Sequence, residues 1–118
     1  MTTISLTNTT AMILEVAILE VREGQTDAFE QDFAQAGQYI SSIKGYRGHS
    51  LRRCAEQAGK YLLLVHWESQ EDHTVGFRQS PQYQEWKALL HHYYDPFPTV
   101  EHYETVLEQP DSHHGGVG

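Results

Sequence analysis

Between Met12 and Leu107 the spacing of apolar residues changes from a period of two to a helical period and back, in the order strand, helix, strand, strand, helix, strand. Met12–Val21 is rich in aliphatic and β-branched residues and predicts a central strand. Its alternation separates Leu14, Val16 and Ile18, expected beneath the helices, from Ile13, Glu15, Ala17 and Leu19 on the opposite face. From Gln25 to Ile43, Phe29, Phe33, Ala36, Ile40 and Ile43 recur at steps of four and three, the stripe of a helix packed on a sheet. Thr26 is the expected N-cap, Gly45 the stop, and Lys44 complements the negative helix end.

Gly48–Cys54 reads as a more polar strand near an edge, and Lys60–Trp67 returns as its antiparallel neighbour after a loop at Ala55–Gly59. A second helical region begins near Glu71 and breaks around Gly76–Pro81. Ser80-Pro81 restarts it with a cap and a proline at the first helical position. Tyr83, Trp86, Leu89 and Leu90 continue at helical spacing until Asp95-Pro96, and Pro98–Leu107 predicts a last strand. The order βαββαβ spells an α+β ferredoxin-like sandwich with a four-stranded antiparallel sheet. Helices cover one face of such a sheet. The other must be wet, ligand-filled or pressed against a second subunit, and an apolar set of Ile13, Ala17, Leu19 and Trp67 there predicts a homodimer.

Length and composition add boundaries to this picture. The 118 residues suit one domain over residues 12–107, with extensions at residues 1–11 and 108–118 expected to be flexible. The latter contains His113-His114, a pair expected to be inert. A net charge of −8 with scattered basic residues argues against nucleic acid as a partner. No apolar run reaches the ~20 residues that span a bilayer, and the Thr-rich start resembles neither a secretory signal nor a transit peptide. The single Cys54 cannot form an internal disulfide, so a reducing cytoplasm is the expected compartment, with Cys54 a small apolar strand residue.

The stretch from Trp67 to Tyr83 ends a strand in Trp, turns through acidic and Ser residues, and continues with His73, Phe77 and Ser80-Pro81. With Gly45-Tyr46 and the closing Val100-Glu101-His102-Tyr103, it resembles the antibiotic biosynthesis monooxygenase (ABM) family over nearly all of Met12–Leu107. The resemblance implies a dimeric α/β barrel with a pocket between the sheet and the second helical region of each subunit. It also implies cofactor-independent monooxygenation, in which an electron-rich aromatic or quinol-like substrate reacts with dioxygen directly. The protein then needs a dry pocket, a proton acceptor and a way to stabilise an anion.

On that reading His73 is the catalytic proton acceptor. Trp67, Phe77, Tyr83 and Trp86 shape the substrate-binding pocket, with one of His91 and His92, and Tyr94, adding polar contacts. Adjacent helical residues diverge by about 100°, so only one of that histidine pair faces inward. Arg78 could hold an anionic oxygen. The structural alternatives are a turn-capping His73, a core Trp67, an aromatic stripe serving as packing and a surface ion pair at Arg78. Haem degradation, known in the same superfamily, is disfavoured because its strand Asn aligns with Ala17 and its haem-ligating His with Lys87.

Two further readings stand beside this one. Glu15, His49, His66 and His102 lie on four different strands, and a carboxylate with imidazoles would suit a first-row metal or a hydrogen-bonded lining. A non-catalytic dimeric barrel that binds a small molecule, or a stress-associated protein, would use the same fold without the chemistry.

Overall fold

A computed structural model describes residues 12–110. Strand β1 (Ile13–Glu20) leads into helix α1 (Thr26–Ile40), then strands β2 (Tyr46–Arg53) and β3 (Lys60–Trp67). A π-helical turn (Asp72–Phe77), helix α2 (Pro81–Leu90) and a 3₁₀ turn (His91–Tyr93) precede strand β4 (Val100–Glu104). The sheet order is β2-β3-β1-β4, with every neighbouring pair antiparallel. This is the ferredoxin-like α+β architecture, with both helices on one face. The expectations for residues 1–11 and for His113-His114 lie outside the described residues.

Helix α1 buries Phe29, Phe33, Ala36 and Ile40, the stripe expected from periodicity. Its start differs from expectation: Gln25 occupies the cap position and makes no side-chain capping bond, so Thr26 is the first helical residue. Ser80 behaves as expected, its Oγ accepting from the Tyr83 amide at 3.1 Å while donating to the Phe77 carbonyl at 2.6 Å. The last strand is shorter than the alternation suggested, because Val100–Glu104 alone finds partners along β1.

The main correction concerns β1. Glu15, Ala17 and Leu19 point into the helical layer and are buried, whereas Leu14 and Val16 are half-buried and Ile18 is 47% exposed on the bare face. Both faces of this strand are aliphatic, so alternation alone does not tell them apart, and the set expected beneath the helices lies on the uncovered face. Register carries the parity across the sheet: Ile13 pairs with Trp67, Glu15 with Val65 and His102, and Ala17 with Leu63 and Val100. Residues paired in this way share a face. Ile13, Ala17, Leu19 and Trp67 are therefore core, and the uncovered apolar set is Leu14, Val16, Ile18, Leu62 and Leu64.

The junction between β1 and the end of α2 is pinned by polar contacts. Val21 bridges to Tyr94, and the Arg22 amide donates to the Tyr93 carbonyl at 2.9 Å. The Arg22 guanidinium donates to the His92 and Tyr94 carbonyls and meets Asp95 at 3.3 Å. These contacts hold the 3₁₀ turn against the sheet and leave a gap between sheet and α2.

Candidate active site

The gap is a cavity of about 360 Å³, toward the small end of the ~300–1,000 Å³ usual for small-molecule sites. Its floor is the helix-side face of β1 and β3, at Glu15, Ala17, Leu19 and Leu63. Phe77, Tyr83 and Trp86 form the aromatic wall, with ring centroids 5.2 Å apart for Phe77–Tyr83 and 5.6 Å for Phe77–Trp86. His91 and Tyr94 close the end beneath the 3₁₀ turn, and the exposed Arg78 and Phe97 stand at the rim.

The π-helical turn positions the most polar part of the site. Its wider winding turns His73 and Phe77, four residues apart, toward the same interior. The Ser69 hydroxyl accepts from the Asp72 amide at 3.2 Å at the start of this turn, and the Glu68 amide donates to the Gly45 carbonyl at 2.8 Å. His73 is 3% exposed and lies over the Trp67 indole, with centroids 5.5 Å apart and planes inclined by 22°.

Four side chains form a polar line through this interior. Trp67 Nε1 donates to Glu15 Oε1 at 2.9 Å. His73 Nε2 lies 3.4 Å from the same oxygen, beyond a tight hydrogen bond and within reach of a small turn of the carboxyl. On its other side, His73 Nδ1 and His102 Nε2 share a hydrogen bond at 2.8 Å. Glu15 is 5% exposed, and its Oε2 makes no hydrogen bond among the described residues. Because no buried side-chain polar atom there lacks a partner, that oxygen is open to the cavity.

Burial dominates the electrostatics. It disfavours the Glu15 carboxylate and lifts its pKa from 4.5 to about 7, although the Trp67 hydrogen bond and the Arg78 charge pull the other way. Burial, with Arg78 and His102 adding to it, lowers His73 to about 3, so its imidazole is neutral. His102 is lowered by burial and Arg78, and His91 by burial and Lys87. Burial raises the Tyr94 phenol, with Tyr83 contributing, and keeps it protonated. Glu15 is thus the acidic group of the cavity that changes charge near neutrality.

Of the residues singled out in the sequence, Phe77, Tyr83, Trp86, His91, Tyr94, His73 and Arg78 all reach the cavity. Two do not. His92 is exposed on the far side of the turn, its Nε2 3.0 Å from the Leu89 carbonyl, because it follows His91 directly. Trp67 is fully buried behind His73 and acts on the cavity through Glu15. The four-strand metal constellation is not assembled. His66 faces the uncovered side of the sheet, and His49 is separated from Glu15 by Val65 and bonds to the Tyr46 hydroxyl at 2.6 Å. Glu15 and His102 do meet, but their polar atoms run in line with His73 instead of converging. Among the described residues no group of three such side chains is arranged for a metal.

Glu15 is the functional candidate that sequence reasoning placed on the wrong face. The signal was present: a lone carboxylate in an otherwise aliphatic strand that must be covered is a costly choice without a partner.

Comparison with known proteins places this geometry in context. Residues 12–89 match the model of the family described as antibiotic biosynthesis monooxygenase. The Bacillus subtilis (strain 168) protein YczJ, itself uncharacterized, is 58% identical over 95 residues, covering 80% of this chain and all of YczJ. A solved Bordetella bronchiseptica structure bearing the same family name is 37% identical, with a TM-score of 0.79, covering 82% of this chain and 99% of its own. SnoaB, a cofactor-independent oxygenase from Streptomyces nogalater, shares the fold with a TM-score of 0.62 at 20% identity, over 87% of this chain and 99% of its own.

Proposed function

Because the chain belongs to the antibiotic biosynthesis monooxygenase family, we propose that its cavity binds a small electron-rich phenol or dihydroquinone and oxygenates it with dioxygen. No cofactor of the protein's own enters this chemistry. The observation that carries the reading is Glu15: a carboxyl poised near neutrality, with one oxygen open to an aromatic-walled cavity. It takes the phenolic proton, and the resulting anion is the electron-rich species that meets dioxygen. Arg78 at the rim forms no salt bridge within 4.0 Å among the described residues, and its charge is available to that anion. Oxidation of a phenol-activated methylene to a carbonyl consumes one dioxygen and releases one water. All four electrons come from the substrate.

His73 has a different part from the one its position first suggests. With its imidazolium held down to about 3, it serves as a neutral partner to Glu15 instead of storing the proton. Trp67 orients Glu15 through its indole N–H. Phe77, Tyr83 and Trp86 provide faces for an aromatic ring, and His91 and Tyr94 provide neutral polar contacts. Oxygen uptake with anthrone-like phenols and dihydroquinones tests the proposal. Substrate-dependent consumption with one oxygen atom entering the product is the expected result. Ligand binding by folded protein with no oxygen uptake across that panel would leave a small-molecule-binding barrel in its place.

A homodimer in a reducing cytoplasm completes the proposal. The uncovered face carries Val16 directly opposite Leu64 and Ile18 opposite Leu62 at the centre of the sheet, a surface suited to a second copy of itself. Sedimentation at micromolar concentration is expected to give the mass of two chains, and Leu64→Arg to give that of one with its circular dichroism intact. A single-chain mass for the wild type would overturn the dimer.

A further inference from the structure

The Glu15–His73–His102 line continues beyond the cavity. His102 is half-buried on β4, the edge strand of the sheet, and lines no part of the cavity itself. Its Nε2 faces His73, whereas its Nδ1 has no partner among the described residues. Since no buried side-chain polar atom there is unpartnered, Nδ1 is open to solvent. The three side chains therefore connect a cavity-facing oxygen to water at the sheet edge.

We infer that Glu15, His73 and His102 form a proton wire that exchanges the proton of the Glu15 carboxyl with solvent, with His102 as its outer port. The inference rests on Glu15 as the proton acceptor. The proton of a Glu15–OH that faces His73 passes to His73 Nε2 as the proton on His73 Nδ1 moves to His102 Nε2 and the proton on His102 Nδ1 leaves to water. The reverse sequence reloads the carboxyl from solvent. One proton leaves the line or enters it, and both imidazoles remain neutral while exchanging tautomers. The protonated line reads Glu15–OH with both histidines carrying Nδ1–H. The deprotonated line reads carboxylate with both carrying Nε2–H. This order makes no demand for an imidazolium, which the buried His73 resists.

The groups facing Glu15 are His102 on β4, His73 and Arg78 at the π-helical turn, Trp67 on β3, and Tyr83, His91 and Tyr94 across the cavity. Of these, burial keeps His91 and Tyr94 neutral. His102 acts through His73, so its role is to position and pass the proton, and the test reads tautomers instead of turnover.

Nitrogen NMR of the histidine rings in ligand-free protein, titrated across neutrality, tests the wire without any substrate. The expected result is a single event near pH 7 in which His73 and His102 switch together from Nδ1–H to Nε2–H. The concerted event is absent in Glu15→Gln. His102→Gln is expected to leave the Glu15 ionisation in place while slowing proton exchange at His73, with added imidazole restoring it. A His73 tautomer fixed throughout the wild-type titration, or a His102 that titrates alone to imidazolium and ignores Glu15→Gln, would overturn the wire. Because no turnover is measured, a substrate panel that fails sinks the oxygenase proposal and leaves this result standing, and the reverse holds equally.

Discussion

Glu15→Gln is expected to lower kcat on any phenol the wild type oxidises by about 10²–10⁴-fold, the range of a lost general base, with KM little changed. The amide keeps the volume of the carboxyl and can still accept the Trp67 indole N–H, so the cavity retains its shape. What it loses is the ability to hold a proton. The wild-type rate is expected to fall on the acid side of about pH 7, where Glu15 is already protonated, and this limb disappears in the variant. Trp67→Phe separates orientation from packing. It removes a hydrogen bond that favours the carboxylate, and a charged hydrogen bond is worth ~1.5–3 kcal/mol, so the acid limb moves about 1–2 pH units toward alkaline. Stopped-flow oxygen consumption against pH measures both effects. A Glu15→Gln enzyme with the wild-type rate and pH profile would remove Glu15 from the chemistry.

The fold was legible because each element obeys a local rule. Phe29, Phe33, Ala36 and Ile40 mark the sheet-facing stripe of α1, and Ser80-Pro81 marks the start of α2. The family was legible for the same reason, since its order of elements runs through the whole matched region. The facing of β1 was not. Leu14, Val16 and Ile18 are as apolar as Ile13, Ala17 and Leu19, so alternation leaves both facings open, and the one expected also put Glu15 outward, where a carboxylate ordinarily lies. A functional site inverts that preference, and there local rules fail.

The wrong face for β1 then propagated. It moved the dimer patch to Ile13, Ala17 and Leu19, whereas His66 entered the metal constellation because neither its facing nor the register of its strand is carried by local pattern. Cavity walls such as Phe77, Tyr83 and Trp86 fared better, because their spacing depends on the backbone of one broken helix. The pairing of His73 with His102 crosses 29 residues of chain and depends on the register of β4 against β1, which no local pattern carries.

The same buried pair makes a sharp statement about stability. Unfolded, Glu15 loses its proton near 4.5 and His73 near 6.5; folded, the values move to about 7 and about 3. Glu15, raised on folding, contributes stability that is present in acid and lost as pH rises toward 7. His73, lowered on folding, contributes stability that is present above 6.5 and lost as pH falls toward 3. Between pH 4.5 and 6.5 each state holds one proton on the pair, on His73 when unfolded and on Glu15 when folded, so the two slopes cancel. The pair is expected to leave wild-type stability level across that window.

Single substitutions uncover the slopes with opposite sign. Glu15→Gln leaves His73 alone, and stability falls by about 3 kcal/mol as pH drops from 6.5 to 4.5. His73→Gln leaves Glu15 alone, and stability falls by about 3 kcal/mol as pH rises over the same range. Each loss corresponds to about 10–20 °C in Tm for a domain of this size. The lowered His102 is common to all three proteins, so differences from wild type isolate the pair. Thermal unfolding at matched ionic strength reads the three profiles. Parallel slopes in the two variants would mean that either Glu15 is not raised or His73 is not lowered on folding, and the site would then lack a protonatable carboxyl beside a neutral imidazole.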